Sequence, residues 1–197
     1  FYGDSPTGLT TGSCSGMCWK GHYCPEGTVT PVPCDEGTYL PVNGSQSGES
    51  CIPCFPGSFS TVMGNPEDEC SPCPAGSYSA ALGSTDCTEC ANGGFCASEG
   101  AGSAAMAFTP CPAGTYNPDR GNSSSDACRA CPAGKANPVP GSESAGVCKP
   151  CPAGQYQDEA GKSICKPCDA GSYCPPLSAS ALTRKSSPTF SPAASKR

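Results

Sequence analysis

A six-residue phrase, Cys-x-x-Gly-x-aromatic, recurs along most of this 197-residue chain and sets the spacing of nearly every cysteine. Its clearest copy is Cys111-Pro-Ala-Gly-Thr-Tyr116. Glycine holds the fourth place in all nine copies, and the sixth place is aromatic in eight, with Ala136 as the exception. The nine copies open at Cys18, Cys34, Cys54, Cys73, Cys90, Cys111, Cys131, Cys151 and Cys168. So regular a repeat predicts a series of small, similar modules instead of one large core.

Composition supports the modular interpretation. The chain has 19 cysteines, 25 glycines and 23 prolines, and only 7% of its residues are aromatic. Apolar bulk is therefore too scarce for a core of ordinary size, and folding must depend on covalent cross-links. Closing a loop of about 15 residues contributes roughly 3 kcal/mol in the chain-entropy model. We expect a small disulfide-rich fold: tandem modules with short β-hairpins forming an elongated rod, with little or no helix.

The spacing of the cysteines suggests their pairing. Each opening cysteine is followed by another cysteine after 14 to 17 residues, or after six residues in a shorter form that we call a knot. Joining each opening cysteine to the next one downstream uses eighteen of the nineteen. The remaining Cys14 is predicted to be unpaired or to bond a partner before residue 1. The predicted bridges are Cys18–Cys24, Cys34–Cys51, Cys54–Cys70, Cys73–Cys87, Cys90–Cys96, Cys111–Cys128, Cys131–Cys148, Cys151–Cys165 and Cys168–Cys174.

Other arrangements of the cysteines stay open at this point, because connectivity does not follow from sequence. The main rival pairing joins Cys24 to Cys34 and Cys96 to Cys111, and it leaves other cysteines of the series without a partner. A thioredoxin-like redox role for the Cys-x-x-Cys pairs would need a low-pKa thiolate at the start of a helix. No helical pattern follows any of these pairs.

Metal binding is the second alternative. Two Cys-x-x-Cys pairs, 51/54 and 70/73, fit a zinc-ribbon template in isolation. A four-ligand site can also be drawn from Cys14, Cys18, His22 and Cys24, and the acidic runs Asp35-Glu36 and Glu67-Asp68-Glu69 offer oxygen ligands for calcium at a joint between modules. The cysteine pairs form a continuous tandem series, however, and the acidic spacing matches no ligand loop. We therefore predict no metal, no cofactor and no catalytic residue.

The module pattern predicts the organisation of the chain. Three long modules and a knot form a higher-order unit that occurs twice, and a fragment of a third precedes them. The expected segments are a polar lead-in at 1–13, a partial unit at 14–33 with knot 18–24, a first unit at 34–96, a junction loop at 97–110, a second unit at 111–174 and a Ser/Pro-rich tail at 175–197.

Several features indicate the secretory pathway, and we expect an extracellular or cell-surface location. Cysteine at this density is typical of an oxidising compartment. Asn43 and Asn122 each open an N-x-Ser sequon and are predicted to carry N-glycans. No apolar run can span a bilayer, and the start has no signal-peptide pattern, so we expect a piece of a longer product. Residues 1–174 carry a net charge of −10, which argues against binding nucleic acid.

Three stretches carry a family likeness: Cys73-Pro-Ala-Gly-Ser-Tyr78, Cys111-Pro-Ala-Gly-Thr-Tyr116 and Cys151-Pro-Ala-Gly-Gln-Tyr156, each followed by Cys-x-x-Cys. They resemble the ephrin-receptor-like cysteine-rich repeat, which is similar to the modules of tumour necrosis factor receptors. The knot Cys18-Trp-Lys-Gly-His-Tyr-Cys24 looks like a variant abundant in surface proteins of protists and algae. The resemblance covers about residues 14–174 and implies extracellular rods, stalks and ligand-contact arrays without catalysis.

These observations predict an extracellular structural or adhesive rod or stalk within a larger surface or filament protein. A ciliary hair (mastigoneme) or a cell-wall component is the specific form of that prediction. The expected partners are other protein chains or neighbouring modules of the same assembly, with glycans attached. The alternative is a fragment of a receptor ectodomain that binds a protein ligand through its variable loops.

Overall fold

The computed structural model describes residues 16–183. Cys14 and residues 184–197, which include most of the Ser/Pro-rich tail, lie outside the described residues. The expectations for the lead-in, for Cys14 and for the end of the tail therefore stay as predictions.

Each module is built on one antiparallel β-hairpin of two short strands. The first strand contains the fifth and sixth places of the phrase. In every module but the last, the second strand lies just before the next opening cysteine, as in Tyr78 opposite Thr88. Each odd-numbered strand pairs with the strand that follows it. In chain order the strands are β1 (His22–Tyr23), β2 (Val32–Pro33), β3 (Thr38–Tyr39), β4 (Ile52–Pro53), β5 (Ser58–Phe59), β6 (Ser71–Pro72), β7 (Ser77–Tyr78), β8 (Thr88–Glu89), β9 (Gly94–Cys96), β10 (Phe108–Pro110), β11 (Thr115–Tyr116), β12 (Arg129–Ala130), β13 (Lys135–Ala136), β14 (Lys149–Pro150), β15 (Gln155–Tyr156), β16 (Lys166–Pro167), β17 (Ser172–Tyr173) and β18 (Leu182–Thr183).

Helical structure is sparse. The α-helix of the described residues, α1, spans Ala104–Ala107, and the Oγ of Ser103 caps it by accepting from the Met106 N–H at 3.3 Å. Three single 3-10 turns lie at Gly48–Ser50, Ser125–Ala127 and Ala145–Val147. The segment 97–110 contains α1 and β10, which pairs with β9. The prediction of a disulfide-rich fold with short hairpins and little helix is confirmed.

The contacts divide the chain into two compact units. Of the described residues, the first unit contains 16–110 and 118–127, and the second contains 111–117 and 128–183. Residues 118–127 follow the opening Cys111 in sequence, but their main chain bonds to the knot of the first unit. There the Gly121 N–H donates to the Cys90 carbonyl at 2.9 Å, and the Cys96 N–H donates to the Asn122 carbonyl at 2.9 Å.

Within each unit, main-chain hydrogen bonds join every module to the next. In the module that opens at Cys54, the phrase glycine Gly57 donates its N–H to the Ser79 carbonyl of the next module at 2.8 Å. The carbonyl of Gly57 accepts from the N–H of Cys73, which opens that next module, also at 2.8 Å. Both polar groups of the phrase glycine are thus used between modules.

A second pair of bonds completes each junction. The turn glycine Gly83 donates to the Cys54 carbonyl of the preceding module at 2.8 Å, and the Ser60 N–H donates to the Ser84 carbonyl at 3.1 Å. The same four bonds recur in the same register at the other six junctions within the units. Because only main-chain groups take part, stacking does not depend on which side chains the loops carry.

The stacking also brings alternate modules together. Gly57 has a φ of +94°, and a Cβ there would overlap the carbonyl oxygen of Gly100, which lies two modules further along. Four other fourth-place glycines lie equally close to a glycine in the loop of the module two places further along the chain. Gly134 lies close in the same way to Leu177. A side chain at the fourth place would therefore meet rigid backbone as well as an unfavourable φ.

Candidate functional site

Disulfide bridges close every module of the described chain. The structure joins each opening cysteine to the next cysteine downstream, and Cα atoms of the paired cysteines lie 5.5 to 6.3 Å apart, within the usual range. All opening cysteines except Cys168 are almost completely buried. The bridges are Cys18–Cys24, Cys34–Cys51, Cys54–Cys70, Cys73–Cys87, Cys90–Cys96, Cys111–Cys128, Cys131–Cys148, Cys151–Cys165 and Cys168–Cys174.

The residue after the aromatic, at the seventh place, is the buried centre of each module, and sequence reasoning missed its role. In the three knots this residue is a cysteine bonded to its own opening cysteine. In the other modules it is Leu40 or a polar residue, and all of them are almost fully buried. The polar ones are Ser60, Ser79, Asn117, Asn137 and Gln157. The alternation of side chains along a strand was the available signal. Successive side chains point to opposite faces, so the residue that follows a half-exposed aromatic points into the module.

Asn137 shows what a polar residue does at this place. It is 1% exposed, and its Nδ2 donates to the carbonyls of Thr115 and Val139 and to the Oγ of Ser142, each at 3.0 Å. Its Oδ1 accepts from the Val139 N–H at 3.1 Å. Since Thr115 belongs to the preceding module, this one amide holds its own loop and a junction together.

Aromatic rings of the phrase face the turn of the next module. A Cβ added to Gly48 would lie 3.2 Å from Cζ of Tyr23 in the preceding module. A groove of about 310 Å³ beside Tyr39 is likewise lined by Glu69 and Cys70, from the end of the following module. The ring of Tyr39 thus forms one wall of a surface groove between consecutive modules.

A larger groove lies beside α1. It has a volume of about 510 Å³ and lies against β8, α1 and β10. The ring of Phe108 packs so closely over Gly94 that a Cβ at this glycine would lie 2.5 Å from Cζ of the ring. The groove is mainly apolar, with a carboxylate and a guanidinium among its lining groups. Its principal lining residues are Tyr78, Glu89, Ala104, Ala105, Phe108 and Arg120.

The two sequon asparagines differ in their surroundings. Asn43 is exposed, and its Oδ1 accepts from the Lys20 N–H at 2.9 Å. Asn122 is half-buried, and its Nδ2 donates to the carbonyls of Asp119 at 3.0 Å and Arg120 at 3.5 Å. A glycan replaces one hydrogen of Nδ2, so attachment disturbs more of the local structure at Asn122 than at Asn43.

A small ionic cluster stabilises the loop of the module that opens at Cys151. Nζ of Lys166 donates to Oδ1 of Asp158 at 2.6 Å and contacts Oε1 of Glu159 at 3.4 Å, and Lys162 lies 2.9 Å from Glu159. These hydrogen bonds hold the pKa of both carboxyl groups below their ordinary values and raise the pKa of Lys166. All four groups are exposed enough for water and salt to screen them strongly.

The remaining candidates are surface features of a scaffold. His22 packs edge-on against Trp19, with ring centroids 5.3 Å apart, and its Nδ1 lies 3.2 Å from the Lys20 carbonyl. Cysteines held in disulfides have no thiolate to offer zinc. Within residues 16–183, no group of three or more His, Cys, Asp or Glu side chains is placed to hold a metal ion.

Charge is divided unevenly between the units. The described residues of the first unit contain twelve acids and two bases, a net charge of −10. Those of the second unit contain four acids and five bases, a net charge of +1. The first unit is thus the strongly acidic part of the molecule.

A comparison with family models agrees with this architecture. Residues 61–106 match the model described as tyrosine-protein kinase ephrin type A/B receptor-like. The chain carries ephrin-receptor-like cysteine-rich repeats. The recognition made from the phrase Cys-Pro-Ala-Gly-x-Tyr is therefore confirmed. No curated protein is significantly similar to the chain.

The ephrin-receptor-like repeat is a non-catalytic, disulfide-rich type of module. Together with the nine disulfides of residues 16–183, it indicates an extracellular or secreted protein. Modules of this type generally mediate protein interactions. In the part of the chain that the structure describes, no helix has the length and apolarity needed to cross a membrane.

Proposed function

We propose that these ephrin-receptor-like repeats form an extracellular rod or stalk with a structural or adhesive role, as one segment of a larger surface or filament protein. A hair on a cilium, or a cell wall, is the specific setting that we propose. The neighbouring modules and other chains of the same assembly are the proposed partners.

The main-chain register between modules is the observation that carries this proposal. Four backbone hydrogen bonds repeat at seven junctions with no side chain involved. A repeat that contacts only its near neighbours adds length without changing its interfaces, and its surface loops can vary freely. Such an arrangement suits a spacer, whereas a catalytic site needs several side chains held together at one place.

Covalent closure of every module supports the same role. Each disulfide spans six to seventeen residues, so the bridge that closes a module stays intact when its neighbour is pulled away. Short loops closed in this way constrain the unfolded chain at every module. We propose the pairing in the structure as that of the secreted protein. Peptide mass spectrometry without reductant should recover the Cys54–Cys70 bridge, and a Cys51–Cys54 bridge in its place would refute the module boundaries.

A receptor ectodomain is the second candidate, and one observation favours it. The apolar groove beside α1 belongs to a module whose loop differs from the others, as a ligand site would require. In that case the chain should be monomeric and should bind a soluble protein of a different sequence. The rod and the receptor are distinguished by localisation, because a rod component should label cell-surface filaments at regular intervals.

We propose an N-glycan at Asn43 and, with less room for it, one at Asn122. The exposed side chain of Asn43 supports the first site. Enzymatic glycan release in heavy-oxygen water should convert Asn43 to labelled aspartate. Absence of the label from a secreted, native preparation would refute the proposal for that residue.

Small-angle X-ray scattering tests the rod directly. Under oxidising conditions, the protein should show the maximum dimension and pair-distance distribution of an elongated particle, and the radius of gyration should greatly exceed about 16 Å, which a compact chain of this length would have. Reduction of the disulfides should abolish the defined profile. A radius close to the compact value in the oxidised protein would refute the rod.

A further inference from the structure

The groove beside α1 has the features of a binding site for an aromatic side chain. Its walls are the half-buried rings of Tyr78 and Phe108 and the methyl groups of Ala104 and Ala105. At about 510 Å³ it is within the range of ligand pockets, which are mostly apolar with a few polar groups. Aromatic rings favour edge-on or offset contact with another ring. The groove thus suits an aromatic anchor better than a fully charged ligand.

Electrostatics narrows the choice of occupant. Glu89 and Arg120 both line the groove, so the charge preference comes from the unit around them, which carries a net charge of −10 over its described residues. Arg120 and Lys20 are the two bases of those described residues. A field of this sign attracts basic segments and repels acidic ones. The occupant should therefore be basic, with an aromatic residue between its charges.

The chain itself contains such a segment. Residues 184–197 carry four bases and no acid: Arg184 and Lys185 at one end and Lys196 and Arg197 at the other. Their one large apolar residue is Phe190, which lies between Pro188 and Pro192. Proline on both sides favours an extended backbone. Docking of extended Pro-rich segments on aromatic-lined grooves is a common mode of recognition, because little conformational entropy is lost.

We propose that the groove beside α1 binds residues 184–197 of a second copy of the chain, with Phe190 inserted between Tyr78 and Phe108. The basic ends of the segment lie over the acidic surface of the first unit. One surface then meets a different surface on the next copy, and such heterologous contacts propagate in one direction. The inference rests on the proposed assembly role and names the contact that would serve it.

Association of the full-length chain tests this contact. Sedimentation velocity in 50 mM salt should show a weight-average sedimentation coefficient that rises with protein concentration. Raising the salt to 500 mM should weaken association about tenfold, because the Debye length falls to a few ångströms. Phe190→Ala should weaken it at least tenfold, because burial of the aromatic side chain is lost.

A charge-matched pair of variants tests the groove. Glu89→Lys places a base among the lining groups and should weaken association at least tenfold. Glu99→Lys makes the same change of charge at an exposed acid of the same unit that does not line the groove, and it should reduce association less than threefold. Equal effects of the two variants would overturn the groove as the site. Intact mass after alkylation without reductant should show the same disulfide content for both, so misfolding is detected.

A mixing experiment separates this contact from non-specific charge attraction. Phe190→Ala keeps an intact groove and Glu89→Lys keeps an intact segment, so each alone should be monomeric and their mixture should form a one-to-one complex and nothing larger. No complex in the mixture, or binding that does not depend on concentration because the segment folds back on its own chain, would overturn the proposal. The scattering profile of the monomer does not depend on the outcome of mixing. A compact profile would therefore refute the rod, whereas the absence of a complex would refute only this contact.

Discussion

The fourth-place glycine of each phrase can be tested by substituting it in two modules that differ in one respect. Gly114 and Gly154 both have a positive φ, of +92° and +83°, and both use their N–H and carbonyl to bond the next module. A Cβ at Gly114 would overlap the carbonyl of Gly161, two modules along, whereas a Cβ at Gly154 has no atom within 4 Å. Alanine at the two positions therefore separates two contributions to the loss of stability: the unfavourable φ, which both variants have, and the overlap with the backbone two modules along, which only Gly114→Ala has.

The expected magnitudes follow from these contacts. Gly154→Ala should lower the free energy of opening this junction by about 1 kcal/mol, the usual penalty for a residue with a Cβ in the left-handed region. In Gly114→Ala the backbone must also move away from Gly161, which strains the bonds to the Asn137 carbonyl at 2.7 Å and from the Cys131 N–H at 2.9 Å. At about 1 kcal/mol for each bond, the total should reach about 3 kcal/mol.

Amide hydrogen exchange is the appropriate assay, because a repeat array need not unfold in a single step. Under oxidising conditions, the Cys131 amide should lose about a hundredfold in protection in Gly114→Ala. The equivalent Cys168 amide should lose about fivefold in Gly154→Ala. Equal losses in the two variants would refute the close approach between alternate modules, and retained protection in both would refute the backbone register itself.

Three further predictions concern single side chains. Leu177 occupies the place of a turn glycine with a φ of +66° and is 54% exposed, so Leu177→Gly should raise stability by roughly 0.5–1 kcal/mol in denaturant unfolding. Asn137→Ala should cost about 2–3 kcal/mol in the same assay, because buried carbonyls lose their donor, whereas Asn137→Ser should cost less because a hydroxyl can still accept from the Val139 N–H. Asp158 should titrate below its ordinary pKa of 3.8, because Lys166 hydrogen-bonds its charged form. The stabilising ion pair is present above pH 4 and is lost as the pH falls through the lowered pKa, and carbon NMR should show the midpoint move upward in Lys166→Met.

The cysteine phrase predicted most of the local structure. A hairpin at each aromatic follows from a glycine turn on one side and a loop closed within seventeen residues on the other. Linking each opening cysteine to its downstream neighbour needs only short loops, so the spacing already favours it. Ala136, the one sixth place without an aromatic, still forms β13 and pairs with Lys149, because the strand depends on backbone and bridge.

The buried seventh place was not predictable in the same way. Its occupants range from Leu40 to Gln157 and cysteine, so no residue type identifies it. Burial there results from the neighbouring module, whose carbonyl accepts from the N–H of this residue, as Ser178 does from Gln157 at 3.0 Å. A polar residue can be buried at this place because its side chain makes the hydrogen bonds to the surrounding loop that water would otherwise make.

The sequence by itself determined the module, its closure by disulfides and its ephrin-receptor-like character, because all of these depend on residues close together in the chain. The tertiary structure alone decided how modules stack, which carbonyl approaches Gly114, and where α1 and Phe108 form a groove. Backbone hydrogen bonds between modules use groups that every residue has, so they leave no pattern in the sequence. Close approach and burial depend on residues twenty to fifty positions apart, and only the folded chain brings these together.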